Sequence, residues 1–397
     1  MKESDIIFIS FLNPFKEMAD GGSQDVKRRI IALANQGYRV KVFAVEKKQY
    51  KKVVGLNNAN ITIEVYDRHI HFPSVFQLKP YPVLSRFNKK LIVDLENELK
   101  NPVRAIIVEG MQCMAIVNAL PAKLFAAAPT ILRIHNLEYN YYLEMGKSKP
   151  FGFFGLKKLV YFLTSVQYKA IETKFIKKFD YVHFISKMEL TEFSSKQNNT
   201  KSMQWVPPIA NKPLEISQTT NRIKEFNLVF FGDLTLPLNY QGVNWFINNV
   251  LQNLLTKFPY HLHVAGCGSN NIVKHDSVTV HGYVQELSVF LNKADLIVLP
   301  ILNGAGVKIK TIDSLTIGLP VIGTSVAFDG LSKNITDQCN IQDQPQAIID
   351  LIEDIRQKYS QYSKSAEVVQ QKVLADFGPE TYAEIINQIG HSVEFSH

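Results

Sequence analysis

An alternation that runs the length of the chain is the strongest constraint on its fold. Short apolar, β-rich runs are each followed by a glycine or a carboxylate and then by a helical pattern. In the first half such runs occupy residues 5–11, 39–45, 61–66, 105–109, 129–135 and 181–186, with a helix predicted over 23–36 and closed by Gly37. Runs of this kind, alternating with helices, predict parallel strands joined by crossover helices. Pro207, Pro208 and Pro213 then interrupt regular structure, which places a linker over residues 204–213. After it the alternation restarts, with runs at 227–231, 261–265, 278–281, 295–300 and 321–324 and a helix over 242–257. The reading is an α/β chain of two Rossmann-like doubly wound domains, residues 1–206 and 207–376, facing across a cleft, with a terminal helix in 377–397. At 397 residues the chain is long for a single core, which agrees with two.

Composition narrows the class. Hydrophobic residues make up 46% and charged residues 20%, as in an ordinary globular protein. The short apolar run that ends near Phe11 lacks both the cationic start and the length expected of a signal peptide, and no run has the length of a membrane span. Cys113, Cys267 and Cys339 are odd in number and scattered, which speaks against a disulfide framework or a thiolate metal site and fits a reducing, cytoplasmic setting. A formal charge of +8 favours phosphate-bearing ligands or an anionic membrane surface. Nucleic acid is set aside, because no recognition-helix or aromatic-basic RNA motif is present.

Residues 299–313 carry the clearest chemical signal. A buried strand leads through Asn303, Gly304, Ala305, Gly306 and Val307 to Lys308 and Lys310, with Asp313 on the helix that follows. Backbone N–H groups at such a loop can meet a phosphate, the helix dipole favours its charge, and two lysines add cations at the same mouth. Asp313 can accept hydrogen bonds from ribose hydroxyls. The competing reading is a solvated Lys310–Asp313 helix pair of about 0.2–0.5 kcal/mol.

Continued by Ser314, Leu315, Gly318, Leu319, Pro320 and the Phe328, Asp329, Gly330, Leu331 run, this stretch resembles the donor-binding signature of glycosyltransferase family 4. The resemblance covers nearly the whole chain. Gly21 and Gly22 match the family's first glycine loop, and Arg133, His135, Asn136 and Glu138 match the pattern around a histidine beside the donor sugar. Phe231, Gly232, Asn239, Gly242, Trp245 and Phe246 match the opening of its second domain, and His281, Gly282, Tyr283 and Val284 its base-contacting turn. Three positions depart from the pattern. Asp313 stands where members commonly carry Glu, Asp233 where many carry an arginine, and Asn303 where many place an acid for donor-sugar hydroxyls.

The resemblance implies a GT-B fold with an acceptor-side first domain and a donor-binding second one. It also implies a terminal helix that crosses back to the first domain. Tyr382, Ile385, Ile386 and Ile389 recur at helical spacing over residues 379–389, so that helix has an apolar stripe in need of a partner. The activity implied is retaining transfer of a sugar from a UDP- or GDP-linked donor to a saccharide, lipid-linked or protein acceptor in glycan biosynthesis. His135, Lys308 and Lys310 are the expected catalytic residues. Gly21, Gly22, Gly232, Tyr283, Val284, Asn303, Gly304, Ala305, Gly306, Val307 and Asp313 are the expected donor contacts. No cofactor is expected. Because the Asp-X-Asp pair of divalent-dependent transferases is missing, the lysines are expected to neutralise the leaving diphosphate. A non-catalytic partner subunit of the same fold and a nucleotide-sugar epimerase remain the alternatives.

Two further patterns bear on partners. His69 with His71, and His261 with His263, would each share a strand face, but neither pair has a nearby third ligand in the sequence. Residues 150–178 interleave aromatics with lysines, which reads as a solvated helix over an apolar core or as a peripheral face for the inner side of a membrane.

Overall fold

The structure, a computed structural model, describes residues 5–17, 21–69, 79–147, 155–195, 202–216, 222–304 and 306–394. The chain divides into two compact units. One holds the residues up to Ile209 together with those from Pro379 onward, and the other is Ala210–Gly378.

The first unit is built on seven parallel strands: β1 (Ile6–Ser10), β2 (Val40–Glu46), β3 (Ile61–Asp67), β4 (Ala105–Glu109), β5 (Thr130–Ile134), β6 (Tyr181–Phe184) and β7 (Ser202–Trp205). Their order in the sheet is β3-β2-β1-β4-β5-β6-β7. β1, β4 and β5 are buried at every position, as expected of central strands covered on both faces. The chain starts at β1, builds outward to β3, then returns to the other side of β1 with β4. That reversal opens a crevice at the carboxyl ends of β1 and β4. Helix α1 (Gly21–Asn35) lies against one face of the sheet, where Val26, Ile30 and Leu33 enter a core with Ile6, Phe8, Val40 and Val42. Tyr382, Ile386 and Ile389 of the terminal helix (Pro379–Glu394) complete that same core, so the apolar stripe of the last helix is covered by the first unit.

On the other face the Gly155–Ile176 helix buries Tyr168, Phe175 and Ile176. Leu159, Phe162 and Val166 along the same helix stay half exposed to solvent, at 51%, 53% and 50%. Residues 148–154, which hold Phe151, Phe153 and Phe154, lie outside the described residues, as does His71. No described helix is long and apolar enough to cross a membrane.

The second unit carries six parallel strands: β8 (Phe226–Phe231), β9 (Tyr260–Ala265), β10 (Val278–Gly282), β11 (Leu296–Leu299), β12 (Val321–Gly323) and β13 (Asn340–Ile341). Their order, β10-β9-β8-β11-β12-β13, repeats the topology of the first sheet, with the reversal between β8 and β11. Its core gathers Phe226, Leu228, Phe230, Leu262, Val264 and Val298 against Val243, Ile247 and Val250 of one helical run and Ile348, Ile352 and Ile355 of another.

Three sequence expectations are corrected. Gln204, taken as the start of a linker, belongs with Trp205 to the edge strand β7. Its polar sequence and half-buried side chains hide a strand that has a neighbour on only one side. Ser23, expected as the first residue of the helix, is the third residue of α1 and is buried. Gly21 and Gly22, matched to a glycine loop, are the first two residues of that helix.

Candidate active site

Each sheet gathers polar groups at its own reversal, and in the first unit they are buried and charged. β4 ends on Glu109, whose register partner on β1 is Ser10. β5 delivers His135 one residue past its end. From α1, Arg29 reaches both carboxylate oxygens of Glu109, Nη1 to Oε1 at 2.6 Å and Nη2 to Oε2 at 2.8 Å. Its Nε donates to Asp25 Oδ2 at 3.1 Å, and its guanidinium lies over the Tyr382 ring at 5.6 Å. Glu109 Oε2 also meets His135 Nε2 at 2.9 Å. Burial alone would raise the Glu109 carboxyl, but Arg29 and the His135 hydrogen bond outweigh it and hold the group well below the usual carboxylate range. Glu109 is therefore an anion at any working pH. His135 is 12% exposed and stands edge-on to Phe11, with ring centroids 5.7 Å apart.

The turn after His135 is clipped by carboxylates. Leu137 N–H donates to Glu189 Oε1 at 3.0 Å, and Glu138 N–H to Glu172 Oε1 at 2.9 Å. Burial pushes the carboxyl of Glu138 up to about 7 and that of Glu172 up to about 8. Arg133 donates to the Val206 and Pro207 carbonyls and pairs with Asp25 Oδ2 at 3.7 Å, while Asp25 Oδ1 accepts from Ile209 N–H at 3.1 Å. Gly21 is exposed and Gly22 half-buried at the start of α1.

In the second unit the reversal between β8 and β11 brings Gly232, Asn239 and Lys310 together. Lys310 opens the Ile309–Leu315 helix and donates to Asn239 Oδ1 at 2.7 Å, with its ammonium 4.6 Å from the centre of the Phe230 ring. Any β-carbon on residue 232 would lie 2.6 Å from that nitrogen, so glycine makes room for the lysine. Burial draws the Lys310 ammonium down to about 7, against the pull of Asp233. Asp233, which stands where an arginine is common, does not pair with the lysine. Its Oδ1 accepts from the N–H and hydroxyl of Thr235, at 2.9 and 2.6 Å, while its backbone carbonyl accepts from Asn239 Nδ2 at 2.6 Å.

The glycine loop closes on itself. Lys308 Nζ donates to the carbonyls of Gly306 at 2.6 Å and Gly304 at 3.3 Å, so it straps the loop it belongs to. Asn303 is exposed, Gly304 half-buried and Gly306 buried, and Ala305 lies outside the described residues. Val307 packs against Gly330, and Asp313 is half-buried on the short helix. The Pro237–Phe246 helix presses on the end of β11 so closely that a β-carbon at Gly242 would sit 1.8 Å from the Pro300 carbonyl oxygen. Tyr283 and Val284 follow β10. The Tyr283 ring is 60% exposed, and Gly282 O accepts from Gly266 N–H at 2.7 Å in the same row of strand ends.

The histidines of β9 gain a third neighbour that sequence spacing concealed. His263 Nδ1 meets His281 Nε2 from β10 at 3.1 Å, and His263 Nε2 meets Asn227 Oδ1 at 3.1 Å. Both nitrogens of His263 are thus engaged within the protein, and among the described residues no group of three histidines, cysteines or carboxylates is arranged to hold a metal.

Residues 225–357, most of the second unit, match the family described as Glycosyl transferases group 1. The chain resembles the GT-B glycosyltransferases of that group. Sucrose-phosphate synthase from Thermosynechococcus elongatus has the same fold, with a TM-score of 0.66 at 14% identity over 99% of this chain and 100% of its own. So does Anabaena HepE in complex with UDP-glucose, with a TM-score of 0.62 at 12% identity over 98% of this chain and 100% of that one. An uncharacterized 44.6 kDa protein in the cps region of Klebsiella pneumoniae is 24% identical over 337 residues, 80% of this chain and 82% of that protein. The lysine loop and the Gly232–Asn239 corner both fall inside the matched family segment.

Proposed function

We propose that the protein is a retaining glycosyltransferase that moves a sugar from a UDP- or GDP-linked donor to a saccharide, lipid-linked or protein acceptor in glycan or polysaccharide assembly. The setting of Lys310 carries this reading. A lysine with no carboxylate within ion-pair distance among the described residues, held by a neutral amide under a glycine, is a cation kept available for an incoming anion. Lys308 and the glycine loop supply further donors beside it. The UDP-glucose complex of HepE supports a nucleotide sugar as the ligand. Exposed Tyr283 offers a ring face for the base, and Asp313 a carboxylate for the ribose.

Residues 207–376 are proposed as the donor-binding domain and 1–206 as the acceptor side, with 377–397 as the helix that returns to it. Chemistry follows from the charge. The bond between the anomeric carbon and the diphosphate oxygen breaks, and the acceptor hydroxyl oxygen bonds to that carbon on the same face. The hydroxyl proton passes to a phosphate oxygen of the leaving nucleotide. Lys308 and Lys310 stabilise the charge that develops on the diphosphate, the place of a divalent ion, and His135 contacts the donor sugar. The part-apolar, part-basic surface of the Gly155–Ile176 helix suits a lipid-linked acceptor presented at the inner face of a membrane.

Incubation with UDP- and GDP-sugars, followed by nucleotide release, tests the reading. Lys308→Ala and Lys310→Ala are each expected to weaken nucleotide-sugar binding by about 1.5–3 kcal/mol, the scale of hydrogen bonds to charged groups. Activity should survive a chelator. Unchanged affinity in both variants, or activity lost to chelation and restored by manganese, would overturn it.

A further inference from the structure

His135 has two ring nitrogens, and only one of them is committed within the protein. Nε2 meets Glu109 Oε2 at 2.9 Å, whereas Nδ1 has no protein hydrogen-bond partner among the described residues. The carboxylate that takes Nε2 is itself immobile. Arg29 grips both its oxygens, Asp25 holds Arg29 from behind, and Glu109, Arg29 and Asp25 are buried completely. Sequence alone gives no reason to place two acids and an arginine inside a hydrophobic core, and such an arrangement is costly unless it fixes something. What it fixes is one atom, Oε2, at the back of the histidine ring.

We infer that Glu109 is a positioning residue, which with Arg29 sets the tautomer and orientation of His135 so that Nδ1 faces its ligand as a hydrogen-bond acceptor. An ionised carboxylate has no proton to give, so the shared proton sits on Nε2, which in the neutral tautomer leaves the lone pair on Nδ1. A nitrogen acceptor takes a hydrogen bond from a hydroxyl and repels an ionised phosphate oxygen. His135 therefore selects a sugar hydroxyl over a phosphate oxygen. This rests on the proposed sugar transfer for its ligand, but the tautomer is a property of the free protein.

The test uses the full chain labelled with ¹⁵N-histidine, with His135 assigned by its absence in His135→Asn. Wild type should show a protonated Nε2 and an unprotonated Nδ1. Glu109→Asp keeps the charge opposite Arg29 but is one methylene too short to hold both partners, and Glu109→Gln removes the charge. In either variant that remains folded, the fixed Nε2–H signature should be lost. Release of UDP or GDP from the sugar donor should fall about 10–100-fold in kcat, the scale on which loss of an outer partner that orients a histidine costs activity. The dissociation constant for UDP or GDP alone should stay within twofold. A merely structural Glu109 would lower activity only in proportion to the folded fraction and leave the tautomer unchanged, and that result overturns the inference. So does a wild-type ring protonated on Nδ1. If wild type releases no nucleotide from any donor, the proposed function fails while the tautomer signal still decides the role of Glu109.

Discussion

A buried cation with no carboxylate within ion-pair distance among the described residues announces itself through pH. Burial draws Lys310 down to about 7 in the free protein, and the pull of Asp233 offsets only part of it. On the proposed reading a bound diphosphate stabilises the ammonium, so the complex holds more protons than the free protein. Affinity for a nucleotide sugar, whose diphosphate stays ionised throughout, should therefore be full below pH 7. It should decline by up to about tenfold per pH unit above it, until the pKa of the complex is reached. Calorimetry from pH 6 to 9 measures this slope. Lys310→Met should bind weakly with no such slope, and a pH-independent affinity in wild type would remove Lys310 from the diphosphate site. The lysines were legible in the sequence because a glycine loop between a buried strand and a helix is a local pattern. The Arg29–Glu109–Asp25 cluster was not, since charged residues on a helix and at a strand end look like surface until the fold buries them. Glu109 left one trace, a carboxylate closing a wholly apolar run.

Among the elements, the turn that follows β5 depends on helices far along the chain. Glu172, from the Gly155–Ile176 helix, accepts the Glu138 N–H with a carboxyl whose pKa burial has raised to about 8. An acid whose folded pKa exceeds its unfolded one stabilises the fold fully below the unfolded value. That contribution is lost as pH rises through the folded value. Glu138, raised to about 7, acts in the same sense. The melting temperature is expected to fall between pH 6 and 9. Glu172→Gln keeps an acceptor for the N–H and cannot ionise, so at pH 9 it should melt several degrees above wild type. Scanning calorimetry at the two pH values checks this, and a variant that declines as steeply as wild type would show that Glu172 is not the cause. The central strands of both sheets were legible as unbroken apolar runs. β7 and the two-residue β13 were not, because short or polar edge strands are defined by their neighbours.

For the whole molecule, the first unit is assembled from two separate stretches of chain. Ile386 is buried among residues of α1 and the first sheet, so Ile386→Ala should destabilise that unit by about 2–5 kcal/mol, the usual cost of emptying a core position. Ending the chain after Gly378 should go further. Hydrogen exchange is expected to show lost protection across β1–β6 and retained protection in β8, β9, β11 and β12, whose core contains none of the removed residues. Full protection of the first sheet in the shortened chain would mean that the terminal helix is dispensable.

The discontinuity also sets a timetable for synthesis. The first unit's strands and α1 are all made before Ala210, yet the side chains that finish its core, from Tyr382 to Ile389, are made only after the whole second unit. At about 5–20 residues per second, the intervening unit takes roughly 10–30 seconds to make. Over that interval the growing chain carries Val26, Ile30 and Leu33 on a helix whose outer cover does not yet exist. The second unit, contiguous in sequence, can fold while the first is still waiting. Nascent chains stalled anywhere before Tyr382 should therefore hold a finished second unit beside an incomplete first one, the state in which a chaperone would find this protein.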